Sequence, residues 1–311
     1  MTAPELTEIA TSAPIALFAY NRPDHLQQTI TALRANPEAA RSELYVFSDA
    51  PRKEADAAGV AAVRALVAKV SGFQSVSVVE APENLGLAAS IIGGVSKVLE
   101  KHDRIIVMED DMITSPHFLD YMNSALEKYA ADDRVISIHG YIYPTEASLP
   151  EAFFLAGADC WGWATWKRGW DLFNADGKAL LAELERRKLT RAFDFDGTYP
   201  YTAMLRDQVN GKNQSWAVRW YASAFLLDKL TLYPGRSMVT NIGNDGSGSH
   251  CDDTTSYDNA VSPTPICLDE VTVAPSEAGR EAFKQFFKRA NPPRWKRVAR
   301  RLRQIGRGGD R

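Results

Sequence analysis

Arg104-Ile105-Ile106-Val107-Met108 is an apolar run that ends in three acids, Glu109, Asp110 and Asp111. Carboxylates packed side by side repel one another, so a positive partner is expected among them. Clustered hard oxygen ligands suit a divalent cation such as Mn2+ or Mg2+, which in turn grips phosphates. A solvated strand-to-helix turn is the alternative, because Thr114-Ser115-Pro116 also reads as a helix start. Further along, Asn241 to His250 is rich in glycine and serine and ends in the only histidine of the C-terminal half. Such a loop can close over a phosphate through its backbone N–H groups while the His250 imidazole approaches the ion as a metal ligand. Gly246, Ser247 and Gly248 are its lid residues, and a plain linker is the other reading. Trp161, Trp163, Trp166 and Trp170 place four tryptophans in ten residues. Tryptophan beside glycine in a turn makes a flat platform for the apolar faces of sugars, so Trp161, Gly162 and Trp163, with Trp216, are candidates for acceptor or sugar contact. A dense aromatic core is the competing reading.

The elements that must position these residues follow from hydrophobic periodicity. Pro14 to Tyr20 reads as a buried strand that stops at Asn21-Arg22-Pro23-Asp24, and a helix over His25 to Asn36 follows. Glu43 to Asp49 is a second strand, Ala55 to Ser71 a helix, Val76 to Glu80 a third strand, and Ala81 to Ser90 a turn that opens a helix to Leu99. Three strand–helix alternations before the acidic strand predict an α/β fold with a doubly wound, mostly parallel sheet. Tyr20, Asn21, Arg22, Asp49, Asn84, Gly86 and Glu109 to Asp111 then lie at the C-terminal edges of strands, where open α/β sheets bind ligands. Neither G-x-G-x-x-G nor G-x-x-x-x-G-K-[ST] is present, which removes the dinucleotide fingerprint and the P-loop. The second half carries further helices at Phe118 to Tyr129, Lys178 to Lys188, Tyr201 to Gly211 and Trp216 to Leu227, and short strands at Val135 to His139 and Leu230 to Tyr233. The organisation expected is a leader over 1–12, a nucleotide-sugar half over 13–115, an acceptor half with its lid over 116–275 and a basic tail over 276–311.

With 311 residues, 45% of them hydrophobic, and net charge -3, the chain has ample material for a core. No run of about 20 apolar residues is present, so no membrane span is expected. Met1 to Glu5 lacks a basic region followed by an apolar one, and the odd set Cys160, Cys251 and Cys267 fits reduced thiols, which together suggest a cytoplasmic protein. From Lys284 onward, eleven lysines and arginines stand against the single acid Asp310. Trp295, Val298, Leu302 and Ile305 recur at helical spacing among them, with Phe283, Phe286 and Phe287 just upstream. A basic amphipathic helix of this kind lies on an anionic membrane surface, which suggests a peripheral position at the inner face of the membrane, and nucleic acid is not an expected partner.

A cation among acids, a phosphate-covering loop and an aromatic platform suggest a nucleotide-activated sugar. At this point the order Phe18-Ala19-Tyr20-Asn21-Arg22-Pro23, Phe47-Ser48-Asp49, Asn84-Leu85-Gly86-Leu87, Glu109-Asp110-Asp111, Gly162-Trp163 and Asn241 to His250 resembles GT-A glycosyltransferases, in particular those similar to N-acetylglucosaminyltransferase I and its bacterial relatives. The resemblance covers about residues 13 to 255 and implies inverting transfer from a UDP-sugar; with the basic tail holding the protein near a membrane, the expected acceptor is a glycan or lipid-linked glycan of the envelope. It implies that the first turn and Asp49 face the uracil, that the Asn84 to Gly86 turn borders the donor, that Asp110 touches ribose or sugar, and that Asp111 binds the metal directly. It also implies that Gly243 to His250 orders when the donor binds.

One departure stands out. Where these relatives carry an acid before a tryptophan as catalytic base, this chain has Gln214-Ser215-Trp216, and neither Gln214 nor Ser215 accepts a proton at neutral pH. Asp207, Asp196 and Asp245 are the nearest acids by sequence. Two rivals therefore stand beside the transferase: a nucleotidyltransferase that makes the activated sugar, and a module that binds sugar nucleotides or glycans without turnover.

Overall fold

The computed structural model of the protein describes residues 12–246 and 255–290. The lid residues Ser247 and Gly248, the expected ligand His250, and the basic stretch from residue 291 onward lie outside these ranges. The strands are β1 (Ile15–Ala19), β2 (Glu43–Ser48), β3 (Ser75–Glu80), β4 (Arg104–Glu109), β5 (Met112–Thr114), β6 (Val135–His139), β7 (Ala152–Ala156), β8 (Trp163–Trp166), β9 (Leu230–Pro234) and β10 (Val239–Asn241). The helices are α1 (Pro23–Arg34), α2 (Ala57–Val67), α3 (Leu87–Leu99), α4 (Phe118–Lys128), α5 (Lys167–Trp170), α6 (Gly177–Arg186), α7 (Thr190–Phe193), α8 (Tyr201–Val209), α9 (Trp216–Leu226) and α10 (Glu277–Ala290).

Eight strands form one sheet in the order β3-β2-β1-β4-β8-β6-β9-β7, and β5 pairs with β10 in a small antiparallel ladder. β8 runs antiparallel to β4 and β6, and β7 runs antiparallel to β9; the other strands all point one way. This mostly parallel α/β sheet, flanked by helices, agrees with the GT-A type of fold expected.

Period-two alternation decides what each strand packs on. Ile15 and Leu17 of β1 face α1 and α2, against Leu26, Ile30, Leu33, Val63 and Val67. Ala16 and Phe18 point the opposite way, to Ile91, Val95 and Val98 of α3 and to Trp216 and Trp220 of α9. Because both faces are covered, all five residues of β1 are buried and the strand reads as a continuous apolar run. β3, at the sheet's edge, has no buried residue.

A third apolar cluster packs Phe153 and Leu155 of β7 and Tyr233 of β9 against α6, α8, α9 and α10. Here one expectation is corrected. Phe283, Phe286 and Phe287 are buried, with Tyr143 stacked on Phe286 at 4.8 Å and edge-on to Phe283 at 4.9 Å. The apolar face of α10 is spent on the protein's own core, so the segment from Lys284 to Ala290 presents no phenylalanine to a membrane. Among the described residues no helix is long and apolar enough to cross one.

Candidate active site

β1 has β2 on one side and β4 on the other, so the chain connections diverge at the β1/β4 boundary. Open α/β sheets place their ligand crevice at such a point. The turn after β1 and the acids after β4 meet there. Arg22 Nη2 donates to Asp111 Oδ2 at 2.7 Å and also to Asp110 Oδ1. Tyr20 N donates to Asp110 Oδ2 at 3.3 Å, and the Thr29 hydroxyl donates to the Asp110 carbonyl at 2.8 Å. Burial alone would depress the Arg22 guanidinium, but Asp110 and Asp111 more than reverse this and raise it. Burial raises the Asp110 carboxyl against the opposing pull of Arg22. Glu109 is pushed up to about 8, first by burial and then by the charges of Asp111 and Asp110.

The positive partner required by the acids is thus, in the first instance, Arg22. Among the described residues no group of three His, Cys, Asp or Glu side chains could hold a metal by itself. One atom is left over, however. Asp111 Oδ1 is buried and has no hydrogen-bond partner. A bare carboxylate oxygen in a ligand crevice fits one coordination position of Mn2+ or Mg2+, with the remaining positions left to a substrate's phosphate oxygens.

Asp49 ends β2 and has a different task from the one the resemblance implied. Its Oδ1 accepts from Leu85 N and Ala50 N at 2.9 and 2.8 Å, and its Oδ2 accepts from Gly86 N and Asn84 Nδ2 at 2.9 and 3.1 Å. With both oxygens filled, the carboxylate shapes the Asn84 to Gly86 turn rather than facing a base. Gly86 sits there with φ 74°, a conformation that glycine tolerates best, and Leu85 and Leu87 stand exposed on either side of it. A Cβ at Gly86 would lie 3.7 Å from Gln214 Oε1, so Gln214 borders the same crevice.

The chain after β10 leans on the acids from above. Ile242 N donates to the Asp111 carbonyl at 2.9 Å, and the Asn241 side chain accepts from Gly243 N at 2.7 Å. Two residues on, Asp245 pairs with His25 Nε2 at 3.2 Å. Gly246, the one lid residue described, adopts φ 79° at the close of this turn. A cavity of about 550 Å3 opens beside it, lined by Asn241, Asn244, Asp245, Thr255, Asp258 and Asn259 among others.

Other candidates separate from the crevice. Trp163 is fully buried, stacked on Trp216 with centroids 5.5 Å apart and packed against Trp170 and Trp220. Trp163 and Trp216 are core residues and give no platform to a sugar; for them the dense-core reading holds. Trp161 is half-buried against Tyr141 and Tyr257, and Gly162 turns the chain at φ 60°. Asp207 of α8 pairs with Lys212 just beyond the helix, and Asp196 is held by Arg280 and Lys284 of α10.

Two groups escape sequence reading. Asp56 accepts from the Tyr20 hydroxyl at 2.8 Å and from Asn21 Nδ2 at 3.3 Å, so it anchors the first turn from outside; no local pattern marks it. Asp159 lies 3.7 Å from the buried His139, whose ring nitrogens have no hydrogen-bond partner. An acid directly before Cys160-Trp161 is the same kind of signal that drew attention to Gln214.

Residues 15–168, just under half of the 311, match the family model described as Glycosyl transferase family 2, a stretch that runs from β1 into α5. Among solved structures, the chain is similar to the mannosyltransferase PcManGT from Pyrobaculum calidifontis in complex with GDP-Man and Mn2+, at 16% identity and TM-score 0.32. That likeness spans 43% of this chain and 37% of the other, and it carries no argument about donor or metal here. No curated protein matches the sequence.

Proposed function

We propose that the protein is a glycosyltransferase that moves a sugar from a nucleotide-sugar, a UDP-sugar by the resemblance described above, to a hydroxyl of a glycan or lipid-linked glycan. The single observation that carries this reading is the buried, unpartnered Asp111 Oδ1 beside Arg22 at the sheet's switch point, within the stretch that matches the Glycosyl transferase family 2 model. The Asp49-held turn, with Leu85 and Leu87 exposed, offers an apolar lip for the nucleoside. Arg22 supplies a forked donor for phosphate oxygens.

In the transfer the acceptor oxygen bonds to C1 of the sugar, the bond from C1 to the phosphate oxygen breaks with its electron pair leaving on the diphosphate, and the acceptor proton passes to a carboxylate. Asp245 is the acid we assign to that proton, because it is held by His25 next to the segment that leans on Asp111, whereas Asp207 and Asp196 are occupied elsewhere. Gln214 then orients rather than deprotonates. Mn2+ or Mg2+ held by Asp111 would supply Lewis-acid neutralisation of the departing charge. Transfer with inversion is part of the proposal, and so is an anionic membrane surface as a docking partner for the basic stretch beyond residue 290.

Gln214 at the crevice favours one second reading, donor binding without turnover. Thermal shift against UDP-, GDP- and dTDP-sugars with and without Mn2+ tests donor binding, and release of UDP without acceptor, lost in Asp111→Asn, separates enzyme from binder. Absence of a shift with every nucleotide-sugar sinks both readings.

A further inference from the structure

Arg22 is an unexpected occupant of a crevice suited to a metal ion. Its guanidinium bridges Asp110 and Asp111, and its side chain is 17% exposed against 5% and 8% for theirs. Gly243 closes the same spot from the β10 side, because the Cβ it lacks would come 2.8 Å from Arg22 Nη1. Of the three side chains, Asp111 Oδ1 is a buried polar atom with no hydrogen-bond partner among the described residues. A divalent ion placed there with Arg22 unmoved would set two cations, with three positive charges between them, around one carboxylate, in a partly desolvated crevice where repulsion is strong. A diphosphate changes the balance, since its oxygens accept the same forked donor that the carboxylates accept.

We infer that Arg22 is the resident cation of the Asp110 and Asp111 pair, and that a divalent ion gains Asp111 only by displacing it, a displacement that a nucleoside diphosphate assists by drawing Arg22 away. Ion and guanidinium are competitors, so ion and diphosphate raise each other's affinity by a common factor. The competition stands on Arg22, Asp110, Asp111 and Gly243 alone; the part played by the diphosphate rests on the transferase reading.

Electron paramagnetic resonance of Mn2+ titrated into the full chain, alone and with UDP or GDP, tests this. Without nucleotide, Arg22→Gln binds Mn2+ about tenfold or more tighter than wild type, and UDP or GDP tightens Mn2+ by about tenfold in wild type but by less than about threefold in the variant. Arg22→Lys keeps the charge without the fork, falls between the two, and serves where the glutamine variant does not fold. Equal Mn2+ affinity in wild type and in both variants overturns the inference, as does a wild type that binds UDP or GDP yet holds Mn2+ equally well with and without it. Should neither UDP nor GDP bind, the transferase reading fails and takes the diphosphate's role with it, while tighter Mn2+ binding by Arg22→Gln still upholds the competition.

Discussion

Gly243 packs its backbone directly on the Asp111 carboxylate, with no space between them for a side chain. A Cβ at this position would meet Asp111 Oδ2 and would lie 2.8 Å from Arg22 Nη1, so Gly243→Ala must push the acid and the guanidinium apart. Overpacking of this kind costs about 1–3 kcal/mol. The expected outcome is a modest fall in melting temperature together with a loss of nucleotide binding, read by calorimetry. Unchanged binding would show that the segment after β10 does not form a wall of the crevice.

Asp49→Asn leaves Leu85 N and Gly86 N facing an amide that brings hydrogens of its own. Loss of backbone partners for a buried group costs about 1–3 kcal/mol. Urea melts should register that loss, and amide exchange at Leu85 and Gly86 should quicken before any global unfolding.

Trp163 and Trp161 separate by burial. Trp163→Ala removes the centre of a stacked cluster and should cost about 3–5 kcal/mol. Trp161→Ala, half-buried, should lower stability by less and raise the KM for acceptor instead. A Trp161 variant with normal acceptor kinetics would remove that residue from the acceptor side.

His139 gives a pH dependence with a definite sign. Burial holds its imidazole below the ordinary histidine value, and Asp159 at 3.7 Å pulls upward without reversing this. The unfolded chain takes a proton near about pH 6.5 that the folded one refuses. Stability from this group is therefore full above that pH and falls as pH drops through it toward the folded value. Between pH 7.5 and 5.5 the urea midpoint of wild type should fall more than that of His139→Phe, with the carboxylates common to both cancelling.

The phenylalanines of α10 separate core from membrane. Phe287→Ala should cost about 3–5 kcal/mol and leave sedimentation with anionic vesicles as it was, whereas a chain ending at Ala290 should lose that sedimentation. Vesicle binding that follows Phe287 instead would mean that α10 unpacks at the lipid surface.

Much of the fold was legible because each of the first strands is a short apolar run followed by an amphipathic helix, and the acids of β4 and the Asn21-Arg22 turn stand at their ends without needing distant partners. Roles were harder to read. Asp49 looks the same in sequence whether it faces a ligand or caps the Leu85-Gly86 turn, since the distinction lies in two N–H groups more than 30 residues away. Trp161 and Trp163 are two positions apart, which strand alternation alone would put on one face; the turn at Gly162, φ 60°, breaks that alternation and leaves Trp161 half-buried ahead of β8 while Trp163 enters the core. Phe283 to Phe287 fit an amphipathic stripe equally well on lipid or on protein. Arg22 was readable as a donor ligand, yet its ion pairs with both acids depend on β1 and β4 lying side by side.

β8 is wedged between β4 and β6 and bonded to both. The strand that ends in the acids is therefore completed on one flank by residues that leave the ribosome only after Ala156. A nascent or excised piece stopping short of Trp163 would carry a bare sheet margin right beside the ligand crevice, open to pairing with another chain. Assembly of the sheet beneath the crevice waits on a late arrival, and a fragment meant to keep that margin covered must run at least through Trp166.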